Sequence, residues 1–207
     1  MARFYECLNT GLREFIQRQH VFFVATTARS GRINISPKGA DTLRIIDERC
    51  VAYQDLTGSG NETAAHLLDD GRMTVMFCSF DPDPLILRLY GHGQALQPDD
   101  EGWPQLAGQF IAHPGVRQIM RLQIESIQTS CGYAVPCYGY EGERDTYPRW
   151  AEKKGPRGLV AYQSEKNRIS IDGLPTGLRV PTDRAGVPEG ASQTSGEGPP
   201  ETFRNPS

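Results

Sequence analysis

Between residues 21 and 96 the chain is a succession of short apolar runs broken by tight turns, with no regular helical crossovers between them. Parallel strands need such crossovers, so this pattern argues against a doubly wound parallel sheet. It predicts a mainly β fold with short helices (α+β), built as a small antiparallel barrel with helices packed outside. The individual elements follow from periodicity. Leu8, Leu12, Phe15 and Ile16 recur at helical spacing and predict an amphipathic helix over about residues 4–18. VFFVATTA is β-branched and aromatic, and the turn Arg29-Ser30-Gly31 folds it back on residues 32–37 as a hairpin.

Further strands are expected over residues 43–46, 50–53, 72–80 and 85–96, the last with Gly91 and Gly93 marking a bulge or a close backbone approach. Met120, Leu122 and Ile124 alternate with polar residues and read as a half-buried strand. Short helices are expected over residues 64–70, 99–110, 146–154 and 158–166, with Thr146 as an N-cap, and a short last strand over residues 168–171. Residues 3–178 are expected to form one domain. From Arg179 onward the chain has five Pro and four Gly, and its only large apolar residues are Val180, Val187 and Phe203. Too little apolar surface remains there to offset the entropy of ordering, so residues 179–207 read as a disordered tail.

Charge narrows the function classes. Twenty-two Lys and Arg against 25 Asp and Glu give a net charge of −3, which argues against a nucleic-acid binder. No apolar run approaches the length of a membrane span, and MARFYECLNT lacks a signal peptide's apolar core, so a cytoplasmic location is expected. The five cysteines are scattered without a CxxC, and the four histidines show no ligand spacing; reduced structural thiols and no metal site are expected.

Four constellations could carry chemistry. In Asn34-Ile35-Ser36-Pro37-Lys38-Gly39, alternation puts an amide, a hydroxyl and an ammonium on one face near a strand end, a set suited to a phosphate or a polar ring edge. The alternative is a solvated strand end. Thr57-Gly58-Ser59-Gly60-Asn61-Glu62-Thr63 is a Gly-rich loop entering a helix, where backbone N–H groups can meet an anion. It is neither a Walker A nor a complete dinucleotide motif, and taken alone the residues favour a plain helix start capped by Asn61. Arg88, inside the apolar LILRLYG, needs either a ligand anion or a neighbouring acid. Trp150, in Tyr147-Pro148-Arg149-Trp150, is a flat surface for an aromatic cofactor, or a half-buried helix residue.

The order of these pieces, a hairpin ending in NISPKG, then VAYQDL, GSGNETAAHLLDD, RMTVMF and a long strand to Gly91, resembles the split-barrel flavoproteins related to pyridoxamine 5′-phosphate oxidase. The resemblance spans about residues 14–96, and SCGYAVP and SIDGLP also resemble segments of that group. It implies an antiparallel split β-barrel of the FMN-binding type, a homodimer with FMN in the cleft between subunits, and a flavin oxidoreductase acting on a small molecule. Carried over by position, it puts Lys38 near the flavin with Asn34 and Ser36 before it, and Tyr53 and Gln54 at the end of the strand lining the ring. Asn61 and Thr63 stand where the oxidase carries the Ser and Lys of a Ser-Arg-Lys phosphate clamp, and Trp150 near a later flavin-side aromatic residue. The clamp here reads Asn-Glu-Thr, and the substrate-phosphate Arg/His pattern is missing from NRISIDG, which argues against pyridoxamine phosphate as substrate. Lys38, Arg88 or Lys153 and Lys154 are the cations left to compensate. Two rival readings keep the fold: a reductase using the deazaflavin F420, and a non-catalytic flavin or haem sensor with His66, His92 or His113 as axial ligand.

Overall fold

A computed structural model describes residues 2–181; of the tail expected over residues 179–207, the part beyond Pro181 lies outside the described residues, while Arg179 bonds to Gln97 and Asp100. The order of elements is β1 (Arg3–Tyr5), α1 (Thr10–Gln17), β2 (Phe22–Thr26), β3 (Asn34–Lys38), β4 (Leu43–Ile45), β5 (Cys50–Leu56), α2 (Glu62–Asp69), β6 (Arg72–Cys78), β7 (Ile86–Leu96), α3 (Trp103–Ala107), β8 (Val116–Ser130) and α4 (Thr146–Lys166). Every pairing is antiparallel, and the strands lie in the order β3-β2-β6-β7-β8-β5-β4, with β1 added to β8.

This sheet is curled, and the core says how strongly. Phe22 of β2 and Tyr53 of β5 are four strands apart in the sheet, yet their ring centroids are 5.5 Å apart. In a flat sheet four strand spacings amount to roughly 19 Å. The inner faces of all five long strands therefore meet in one core of Val24, Val51, Phe77, Leu89, Leu122 and their neighbours. Leu12, Phe15 and Ile16 of α1 pack on that core, and Asn9 caps the helix by accepting from the Leu12 N–H at 3.0 Å. No ladder joins β3 to β4 or β5, so the barrel is split along that seam.

Several elements differ from the sequence expectation. The expected first helix is shorter, because Arg3–Tyr5 pair with Ile127–Thr129 instead. The strand expected over residues 50–53 continues to Leu56, and the alternating strand near Met120 extends from Val116 to Ser130, because pairing with neighbours on both sides holds the polar residues in the ladder. The third helix is only Trp103–Ala107. The two helices expected after Thr146 form one run broken at Gly155 (φ 63°, ψ 172°), with Asp145 rather than Thr146 at the N-cap position. The expected last strand reduces to one bridge between Ile169 and Pro175.

Gly91 lies where the β7–β8 register shifts, and a Cβ there would sit 1.9 Å from the Gln123 carbonyl oxygen. A bulge this tight admits no side chain. Gly91→Ala should cost about 2–4 kcal/mol, read as a lowered urea midpoint with an unchanged slope.

Candidate functional site

The split seam is spanned by a buried ion set. Asp55, near the end of β5, has a side chain only 2% exposed. Its Oδ2 accepts from Arg117 Nε at 2.7 Å and from Gln118 Nε2 at 2.9 Å, and its Oδ1 lies 3.5 Å from Lys38 Nζ across the seam. Burial alone would raise the Asp55 carboxyl, but Arg117, then Lys38, hold it below the ordinary carboxylate value. Lys38 Nζ also lies 5.9 Å over the Tyr53 ring. Burial pushes the Tyr53 phenol well above its ordinary range, and Asp55 adds to the shift.

Beside this set the seam opens into a cavity of about 770 Å³. Lys38, Gln54 and Leu56 form its barrel wall, Tyr147 comes from the first turn of α4, and Tyr138 and Tyr140 come from the segment after β8. That segment, residues 131–145, has no regular structure and crosses the opening as a strap. The Tyr138 N–H donates to the Phe80 carbonyl at 3.0 Å. Tyr140 stacks on His20 with centroids 3.6 Å apart and rings parallel within 3°. Glu143 accepts from Tyr140 Oη (2.9 Å) and from the Ala40 N–H (3.2 Å). Ala40 and Asp41, at the rim, both have positive φ (58° and 52°), a region non-glycine residues seldom enter. Burial raises the Tyr147 phenol to about 12, so it stays protonated and faces the Gly115 carbonyl at 3.4 Å.

The structure brings some of the sequence-predicted residues together and separates others. Lys38 and Gln54 share the cavity wall. Tyr53, one position away, faces the core instead, because side chains alternate along a strand. Asn34 lies on the same β3 face as Lys38 but at the far end, where its Nδ2 donates to Thr63 and Thr26 at 3.3 Å each. Ser36 sits half-buried between them, opposite Val24. Arg88 is away from the cavity: its Nη1 donates to Ser130 Oγ at 3.0 Å, so a neighbouring hydroxyl takes the place of the expected anion or acid. Trp150 does not line the cavity but packs on Tyr147 and Tyr162 at 5.7 and 5.4 Å. Of the histidines, His66 is buried against Thr26 and His92 pairs with Glu125 on the surface.

The Gly-rich loop has a different occupant. Gln163 donates to Thr57 (2.7 Å), Asn167 donates to the Gly58 carbonyl (2.8 Å), and Asn61 donates to the Asn167 carbonyl (3.2 Å). Asn61 makes no side-chain cap to α2; its Oδ1 accepts from Gln118 instead. Glu62 turns outward and accepts from the Ile171 N–H at 3.0 Å. Residues 163–171 thus engage the Thr57, Asn61 and Glu62 side chains and the Gly58 carbonyl.

Sequence reasoning missed Asp55, Arg117 and the strap. Asp55 carried a usable signal, an acid inside the apolar VAYQDL, the same kind that singled out Arg88. Nothing in the local pattern marks the strap as a cavity wall.

A flavin ring fits the cavity. About 770 Å³ lies within the usual size of small-molecule sites. Gln54 Oε1 is buried without a hydrogen-bond partner and can accept from a ring-edge N–H, and Lys38 supplies a cation on the same wall. At the loop of residues 57–63 the Thr57 and Asn61 side chains are already bonded within the chain.

Replacing Arg117 with Met leaves Asp55 buried with the neutral Gln118 donor and, as its one cation, the more distant Lys38. The variant should lose about 3–5 kcal/mol at neutral pH. In the wild type the lowered carboxyl stabilises the fold above its unfolded value and loses that contribution as pH falls through the lower folded value. In the variant burial raises the carboxyl, so acidification relieves it. Urea unfolding at pH 7 and pH 4 should therefore show the deficit shrinking at the lower pH.

The model for the family described as pyridoxamine 5′-phosphate oxidase matches residues 8–131. The chain is 40% identical over 197 residues to the pyridoxamine 5′-phosphate oxidase family protein ustO of Aspergillus flavus, covering 84% of this chain and 78% of that protein. Among solved structures it is similar to HupZ of Group A Streptococcus (TM-score 0.47, 20% identity, 58% of this chain and 91% of that one). It is also similar to an FMN-binding protein of Syntrophomonas wolfei (TM-score 0.43, 15% identity, 55% and 78%). The match over more than half the chain, with that identity to a relative along most of its length, makes this protein a member of the pyridoxamine 5′-phosphate oxidase family.

Proposed function

We propose that the chain is an FMN-binding oxidoreductase that acts on a small molecule other than pyridoxamine phosphate. The observation that carries this reading is the cavity at the split seam, with the unpaired Gln54 Oε1 and the Lys38 ammonium on one wall. Membership of the family supports it. When bound, the flavin supplies the hydride or electron chemistry. The chain's own residues hold and orient it. Lys38 places positive charge beside the ring, and Asp55 keeps that ammonium at the seam. Gln54 accepts from the ring edge, Tyr147 retains its proton, and the strap limits water.

The same proposal includes a cytoplasmic homodimer with the cofactor at the subunit interface. β3 is an edge strand, and Ile33 and Ile35 beside it are 77% and 63% exposed, an apolar edge that a second copy can cover. No helix among the described residues is long and apolar enough to cross a membrane.

The absorption spectrum of the purified protein, with mass spectrometry of what denaturation releases, tests the cofactor. Flavin bands and released FMN are expected; uptake of F420 but not FMN would move the chain to deazaflavin chemistry. Lys38→Ala should weaken FMN binding by about tenfold, measured by quenching of flavin fluorescence. Unchanged affinity in the folded variant would remove Lys38 from the site. Light scattering should give twice the chain mass at micromolar concentration.

A further inference from the structure

The cavity has two chemically distinct ends. At the barrel end the ionic groups are matched: Lys38 faces Asp55, and Asp55 is bonded to Arg117. At the strap end two guanidinium groups, Arg18 and Arg144, line the same cavity. Among the described residues neither makes an ion pair or a side-chain hydrogen bond. Seven other arginines, Arg44 and Arg117 among them, pair with an acid; of the described arginines Arg3, Arg29, Arg157 and Arg168 likewise make no ion pair, but none of them lines this cavity.

Two acids share the lining, and one of them is already engaged. Glu143 accepts from the Ala40 N–H and from Tyr140. Asp81 is the other. The strap end also offers flat faces, Phe80 with Tyr138 at 5.6 Å and Tyr140 on His20 at 3.6 Å. Meanwhile in the Gly-rich loop, the other element suited to an anion, the Thr57, Asn61 and Glu62 side chains are bonded to the chain's own residues 163–171.

We infer that Arg18 and Arg144 form an anion subsite at the strap end of the cavity, receiving the phosphate or carboxylate of a flat aromatic ligand that lies between them and the Lys38–Gln54 wall. Guanidinium forks suit such oxyanions. The ring of the ligand takes the aromatic faces, and its charge takes the two free cations. This inference rests on the cavity being the ligand site proposed above. The anion has two sources, the 5′-phosphate of the cofactor or the acidic group of a substrate.

The double variant Arg18→Gln, Arg144→Gln separates them. Both side chains are exposed and unbonded, so the thermal midpoint should be unchanged. Dissociation constants for FMN and riboflavin are measured by fluorescence quenching. Those for benzoate and benzamide are measured by calorimetry on the protein as purified. A loss of about tenfold for FMN with none for riboflavin assigns the subsite to the cofactor's phosphate. An unmoved FMN-to-riboflavin ratio with a similar loss for benzoate, and none for benzamide, assigns it to a substrate anion. If no probe responds, or benzamide falls as far as benzoate, the subsite is overturned while flavin binding stands. If neither flavin binds the wild type but benzoate still depends on the two arginines, the flavin reading fails and the subsite survives.

Discussion

Asp55 is a carboxylate almost without contact to water, and the arrangement of the seam follows from keeping it ionised. Burying a lone carboxylate is costly, so it needs cations and donors on several sides. Arg117 and Gln118 come from β8, the strand paired with β5. Lys38 comes from β3, at the opposite end of the sheet order. Only a curled sheet brings that ammonium within reach. The same contact anchors one wall of the cavity, because Lys38, which faces Asp55, also lines it with Gln54.

Two later segments finish the site in different ways. The strap is tied down by few interactions: the Tyr138 backbone hydrogen bond and ring contact to Phe80, the Tyr140 stack on His20, and the Glu143 contact to Ala40. It closes the cavity while leaving two arginines unengaged. Residues 163–178 do the reverse. They satisfy buried polar groups of the Gly-rich loop, and Asn167 is fully buried in doing so. Thr176 adds a donor to the same Asn167 carbonyl, and Gln97 donates to Gly177 and accepts from the Arg179 N–H. The loop has thus become part of the scaffold.

Much of the barrel was legible because strands carry their evidence locally. The β-branched and aromatic run VFFVATTA, the turn at Arg29-Ser30-Gly31 and the glycines of β7 each reflect a local requirement, and the bulge falls at Tyr90/Gly91 where those glycines pointed. The misjudged boundaries lie where partners decide. Arg3–Tyr5 look helical by apolar spacing but find the edge of β8, and β5 runs on through Gln54 and Asp55 because its polar residues are paired across the ladder. Asn61 is a standard cap residue by type, yet its amide is drawn to Gln118 and Asn167, a partner 106 positions along the chain.

The sequence by itself determined the antiparallel class, the succession of short strands and turns, and the NISPKG strand end that carries Lys38. These depend on periodicity and turn chemistry within a few residues. Only the tertiary structure decided that Lys38 meets Asp55, that Tyr53 faces the core while Gln54 faces the cavity, and that Arg18 and Arg144 share one lining. Those relations join residues far apart in the chain, and the curl of the sheet and the path of the strap set which of them meet.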